Sequence, residues 1–107
     1  MTATFSPALP AHAMSRVAPK LAELSEQVLF NDVWERPQLG RRDRSLITVA
    51  ALVSLCRLEQ LPFHLQRALD NGVTPQELSE LVTHLAFYAG WPAAASACTL
   101  LAQATSA

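Results

Sequence analysis

Residues 59–92, EQLPFHLQRALDNGVTPQELSELVTHLAFYAGWP, constrain the fold more than any other part of the chain, because they punctuate a helical hairpin. Asn71-Gly72 marks a helix C-terminus, since glycine enters the left-handed conformation without a Cβ clash. Thr74-Pro75-Gln76-Glu77 opens the next helix. Thr74 can cap, Pro75 sits where its missing N–H is not needed, and Glu77 completes a capping box. These signals predict one helix from about Leu61 to Asn71 and another from Pro75 to Ala89. Gly90 ends the second helix, and Pro92 starts a third, AAASACTLLAQA, whose small residues permit close helix approach.

The rest of the chain extends the same pattern into an all-α fold of about five helices. Residues 1–18, with Pro7, Pro10 and several small side chains, are expected to form an extended N-terminal arm. Residues 19–107 form the helical domain. From Pro19 to Phe30, Leu21, Leu24 and Val28 recur at helical spacing and predict a short amphipathic helix, which Asn31 and Asp32 break. The loop VWERPQLG follows, with Trp34 filling a gap between helices. From about Arg41 to Arg57, the run LITVAALVSLC predicts a buried helix, although Ile47, Thr48, Val49 and Val53 are also compatible with a strand.

Composition narrows the function classes. Half of the 107 residues are hydrophobic and only 16% are charged, more apolar material than a monomer of this size hides, so self-association is expected. A net charge of -1 with no basic run argues against a nucleic-acid partner. The N-terminal residues have no signal-peptide pattern, and no segment is long and apolar enough for a membrane span, which predicts a soluble, cytoplasmic protein with no membrane partner. Cys56 and Cys98 form no CxxC pair, so they suggest buried thiols rather than a disulfide framework or zinc knuckle, and no metal is implied.

Several side chains could carry chemistry, each with two open readings. His64 faces the apolar side of its helix; it is either a core histidine bound to a backbone carbonyl, or an imidazole in a dry pocket that serves a developing anion. Glu77, Glu80, His84 and Tyr88 form one line, which is either a solvated or subunit-contact face or the border of a pocket. Arg41, Arg42 and Arg44 crowd a helix start, where the dipole disfavours cations. Either carboxylates such as Glu35 or Glu77 offset them, or an arginine holds a substrate carboxylate, with Arg44 the choice for that role. Glu59 either orients His64 or simply complements the helix dipole.

The W-x-R-P-x-L loop, the R-D-R helix start, H-L-x-x-A-L-x-x-G-V-T and Y-A-G-x-P-A-A together resemble the carboxymuconolactone decarboxylase family, over about residues 33–95. The resemblance implies an alkylhydroperoxidase D-like helical bundle, assembled as a homotrimer or homohexamer with sites near subunit contacts. It also implies cofactor-free decarboxylation, or related lyase or isomerase chemistry, on a carboxylated lactone from aromatic-compound catabolism. In that frame His64 is the proton donor or dienolate stabiliser, Arg44 binds carboxylate, His84 and Tyr88 border the pocket, and Glu59 supports His64. A non-catalytic oligomer that binds a small ligand, or serves in assembly, is the alternative. A thiol peroxidase is a further one. In the superfamily's thiol proteins a glutamate and a CxxC pair precede the histidine, but here those slots fall on Ser45, Arg57 and Gln60.

Overall fold

The computed structural model describes the backbone of residues 10–106 and the side chains of residues 13–106. Among these residues the regular structure is entirely helical. The α-helices are α1 (Pro10–Val17), α2 (Pro19–Leu24), α3 (Arg41–Ser54), α4 (Leu61–Asp70), α5 (Pro75–Ala89) and α6 (Trp91–Thr105). That is one more than about five. The extra helix, α1, lies within the stretch expected to be extended, and residues 1–9 of that arm lie outside the described residues. Residues up to Arg41 and residues from Arg42 onward form two separate compact units.

In the first unit, the helix expected from Pro19 to Phe30 changes character halfway. After α2 the chain widens into a π-helical segment, Ser25–Phe30, closed by the Asn31 N–H donating to the Glu26 carbonyl at 2.9 Å. Widening the turn from the usual i→i−4 bond to i→i−5 shifts the register of side chains. Leu21, Leu24 and Val28, spaced for one buried stripe, stand about half exposed in this protomer. A short 3₁₀ turn, Val33–Glu35, then buries Trp34, whose ring lies 6.0 Å from that of Phe30.

The second unit holds the hydrophobic core. Val49 and Val53 of α3, Leu61, Leu65 and Ala68 of α4, Leu78, Val82 and Ala86 of α5, and Ala94, Ala97 and Leu101 of α6 pack together with Val73. The α6 contribution is mostly alanine, which lets its backbone come close to α4 and α5. The apolar run in α3 forms a helix, with the Thr48 hydroxyl donating to the Arg44 carbonyl at 2.8 Å, so its β-branched residues do not impose a strand. It is not buried all round, as the sequence suggested. Ser45, Val49 and Val53 form one buried stripe at four-residue spacing, while Ile47 is 56% exposed. One protomer supplies neighbours for only one face of this helix.

The hairpin follows its sequence signals closely. At the end of α4 the Val73 N–H reaches back to the Ala68 carbonyl and the Gly72 N–H to the Leu69 carbonyl, with Gly72 at φ 96°. This is a Schellman closure, and the buried Val73 and Ala68 supply its apolar contact. Thr74 Oγ1 accepts from the Glu77 N–H at 3.1 Å, while Glu77 Oε1 accepts from the Thr74 N–H at 2.9 Å, which makes the capping box of α5 reciprocal. Gly90, at φ 106° and ψ 151°, both ends α5 and caps α6.

Candidate active site

The arginine cluster at the start of α3 resolves into distinct roles. Arg41 pairs with Glu35 through two contacts, and Arg42 pairs with Glu77. These are the two carboxylates that the sequence offered as partners. Glu77 is thereby held at both oxygens, by the Thr74 N–H at one and by Arg42 at the other. The capping-box hydrogen bond from Thr74, reinforced by Arg42, keeps the Glu77 carboxyl below its ordinary range. Arg44, the arginine chosen for substrate carboxylate, is half-buried in the first turns of α3.

A groove of about 410 Å³ runs between α3 and α5, with Leu46, Ala50, Leu81 and Leu85 as its apolar lining and Arg42, Glu77, Glu80 and His84 as its polar lining. His84 is therefore at a pocket. Tyr88 stacks on it with ring centroids 4.8 Å apart, yet Tyr88 is 77% exposed and does not line the groove. Arg44 and His64 do not line it either. Of the residues singled out from sequence, the structure thus brings His84 and Tyr88 together and places His64 on α4 and Arg44 on α3 separately. Two carboxylates against one guanidinium make this groove unfavourable for a third carboxylate arriving with a substrate.

His64 sits on α4 beside the buried stripe Leu61, Leu65 and Ala68. Its ring is half-buried, Nδ1 is shielded from solvent, and the edge-on ring of Phe63 lies 5.0 Å away. Burial, aided by the nearby positive charge of Arg67, lowers its pKa from 6.5 to about 4. The imidazole is consequently neutral near pH 7 and offers an N–H as a hydrogen-bond donor rather than a full proton. Arg67 is itself half-buried, with Nε shielded from solvent. Residues three apart on a helix are surface neighbours. The spacing from His64 to Arg67 was the sequence signal for this partnership, and the sequence reading, drawn to the arginines of α3, missed it. Asn71, one further turn on, donates from Nδ2 to the fully buried Ser45 Oγ at 3.0 Å. Glu59 is exposed in the turn before α4.

Both cysteines are free and exposed, which corrects the expectation of buried thiols. Cys56 occupies the turn that ends α3, at φ 56°, and Cys98 lies on α6 at the rim of a second groove of about 280 Å³ between α5 and α6. Among the described residues, no group of three or more His, Cys, Asp or Glu is arranged to hold a metal ion, and no helix is long and apolar enough to cross a membrane.

The described residues thus form an all-helical protein with a shielded histidine and an arginine on one helix, and the sequence has no CxxC pair. The model of the carboxymuconolactone decarboxylase family matches residues 19–103, and the chain belongs to that family. It is 47% identical to 4-carboxymuconolactone decarboxylase of Acinetobacter baylyi over 68 residues, which cover 64% of this chain and 51% of that protein. It is 39% identical over 70 residues to nitrosuccinic acid decarboxylase npaB of Metarhizium robertsii, covering 65% of this chain and 49% of the relative. A 15.0 kDa uncharacterised protein of Paracoccus denitrificans is 28% identical over 98 residues, 87% of this chain and 73% of that one. The chain spans about half the length of the two relatives named as decarboxylases.

Proposed function

We propose that this protein is a carboxy-lyase that removes CO₂ from a small carboxylated substrate, with His64 as the group that meets the developing oxyanion. The observation that carries this reading is the half-buried imidazole held neutral next to a guanidinium. Two similar proteins named as decarboxylases support it. Their named substrates share a chemistry: each is a dicarboxylic acid with an oxygen-ended electron sink, a conjugated lactone carbonyl in one and a nitro group in the other. On decarboxylation, the C–C bond to the leaving carboxylate breaks and its electron pair moves through carbon to the acceptor oxygen. CO₂ departs, and the carbon later regains a proton. A neutral imidazole N–H in a partly dry site stabilises that oxygen when it becomes anionic, which is where preorganised donors act most strongly.

In this reading Arg44 supplies positive charge that draws in the dianionic substrate. His84 and Tyr88, which lie on α5 apart from His64 within one protomer, border the pocket only across a subunit contact, and Glu59 supports the His64 turn. The assembly is a homotrimer or homohexamer, in which a neighbouring protomer covers the exposed apolar faces, and the substrate is a carboxylated lactone from aromatic-compound breakdown. The test is CO₂ release from 4-carboxymuconolactone and from nitrosuccinate by purified, folded protein. Turnover of either is expected, and His64→Gln should lower kcat by about 10²–10³, the usual effect of losing one oxyanion donor. Absence of CO₂ from both substrates, or full turnover by His64→Gln, would reject the proposal.

A further inference from the structure

We propose that Phe87 and Trp91 of one protomer seat in the α3–α5 groove of a second copy of this chain, and that this contact, repeated from copy to copy, closes the assembly into a ring. It names the contact behind the self-association proposed above, and rests on that reading for assembly alone, not for the decarboxylase chemistry. Phe87 lies in the last turn of α5 and Trp91 opens α6; their rings meet edge to face with centroids 5.3 Å apart. Yet Phe87 is 73% and Trp91 64% exposed, and the adjacent Tyr88 is 77% exposed. At about 150–250 Å² per aromatic side chain, the three leave roughly 300–550 Å² bare. A standard interface takes about 800 Å² from each partner, so this corner supplies about half of one side.

The groove offers a matching surface. Leu46, Ala50, Leu81 and Leu85 line its apolar part, and it encloses about 410 Å³. A cavity of about 150 Å³ holds one benzene ring, so the groove has room for a phenyl and an indole together. Its rim is polar, and the ion pair there, Arg42 with Glu77, does not involve Glu80. The Glu80 carboxylate is thus placed to accept from the indole N–H of an incoming Trp91, which has a donor and no acceptor. An apolar centre with such a polar edge is the usual anatomy of a subunit contact.

Corner and groove face different ways on the same helix. Phe87 follows Leu81 by six residues and Leu85 by two, so at about 100° per residue it points about 120–160° round α5 from both. A protomer therefore cannot fill its own groove with its own corner, whereas a second copy can. Because the two surfaces that meet are unlike, the contact is heterologous, and heterologous contacts that close make rings, the symmetry of a trimer or of each half of a hexamer built from two rings.

Sedimentation velocity of the full chain reads the assembly, with circular dichroism confirming the fold of each variant. Wild type should run as a closed ring of fixed size. Trp91→Glu places a carboxylate that suits the first turn of α6 but repels Glu80 across the contact. That variant and Phe87→Ser should each raise the dissociation constant by about thirtyfold or more, as loss of an interface anchor does. Ala50→Trp, and more mildly Ala50→Leu, should weaken assembly by filling the groove from within. An equimolar mixture of Trp91→Glu and Ala50→Trp is the sharper test: the first keeps its groove and the second its corner, so they should form dimers of unlike chains that grow no further. A monomeric wild type, unchanged assembly in folded Trp91→Glu and Phe87→Ser, or a mixture that stays monomeric would overturn this contact. A protein that forms the ring and releases no CO₂ keeps the contact and rejects the decarboxylase reading; one that releases CO₂ as a monomer does the reverse.

Discussion

Replacing His64 with glutamine should flatten the acid limb of the stability curve, and the size of the effect follows from the imidazole's surroundings. Its pKa is lowered from 6.5 to about 4 in the folded protein, first by burial and then by the charge of Arg67. Between these values the unfolded chain binds a proton that the native protein refuses, so stability falls as the pH drops and the loss is complete below the native pKa. At about pH 5, the linkage relation gives a loss of about 2 kcal/mol relative to about pH 8 at full weight. Solvent screening at a half-buried ring reduces this to about 1 kcal/mol. The assay is urea unfolding of wild type and His64→Gln at both pH values and one fixed protein concentration, since self-association would otherwise shift the midpoints. The quantity read is the difference between the two proteins' pH-induced losses. It should be about 1 kcal/mol, with wild type losing more, and an NMR titration of His64 should show a midpoint well below that of an ordinary histidine. Parallel losses in both proteins, or a His64 midpoint above 6.5, would refute the claim that His64 is kept neutral by its site.

Two backbone predictions follow from positive φ angles. Gly90→Ala should destabilise the protein by about 1–3 kcal/mol, because φ 106° and ψ 151° belong to a region that only glycine adopts easily. A Cβ there would meet only Pro92 Cδ at 3.8 Å, so the penalty is conformational rather than steric crowding, and Gly90→Ser should match it in urea unfolding. Cys56→Gly should act in the opposite direction, raising stability by about 0.5–1 kcal/mol in thermal unfolding, since Cys56 occupies a left-handed position without being glycine. A loss of stability on that substitution would mean that its thiol makes a contact more valuable than the relief of backbone strain.

The parts of the fold that were legible in sequence are those settled by local chemistry. Gly72, the Thr74–Glu77 box and Pro75 act within a few residues of themselves, so the α4–α5 hairpin could be bounded almost to the residue. The partners of Arg41 and Arg42 were also among the carboxylates named from sequence, because a helix N-terminus with three cations calls for acidic partners, although Glu77 lies far along the chain from Arg42. The π-helical segment was not readable, because no residue from Ser25 to Phe30 signals a wider turn. Nor was the exposure of the α3 flanks and of both thiols: an apolar helix carries no local mark of which stripe its neighbours will cover. For the candidate site, the sequence indicated His64 from its place on an apolar face. The influence of Arg67 on His64 was overlooked because a basic residue near a helix C-terminus has an ordinary explanation in the dipole.

The same region explains why the proposed oxyanion stabilisation fits this chain better than thiol chemistry does. In the resemblance drawn from sequence, a thiol mechanism needs cysteines where Arg57 and Gln60 stand and a carboxylate where Ser45 stands. Arg57 and Gln60 are exposed on the connection between α3 and α4, and Ser45 is fully buried and bound by Asn71. Cys56 misses its slot by one residue, and that residue is the left-handed corner of a Schellman closure: the Arg57 N–H bonds the Leu52 carbonyl at 2.8 Å and the Cys56 N–H the Val53 carbonyl at 3.1 Å. Moving the thiol into the slot would require refolding that corner, not a change of rotamer. The carboxylate that could deprotonate a thiol is replaced by a hydroxyl already committed to an amide. An imidazole of such low basicity is a poor base, but its N–H can hold an anion as that anion forms, which is the role proposed for it when a carboxylate loses CO₂.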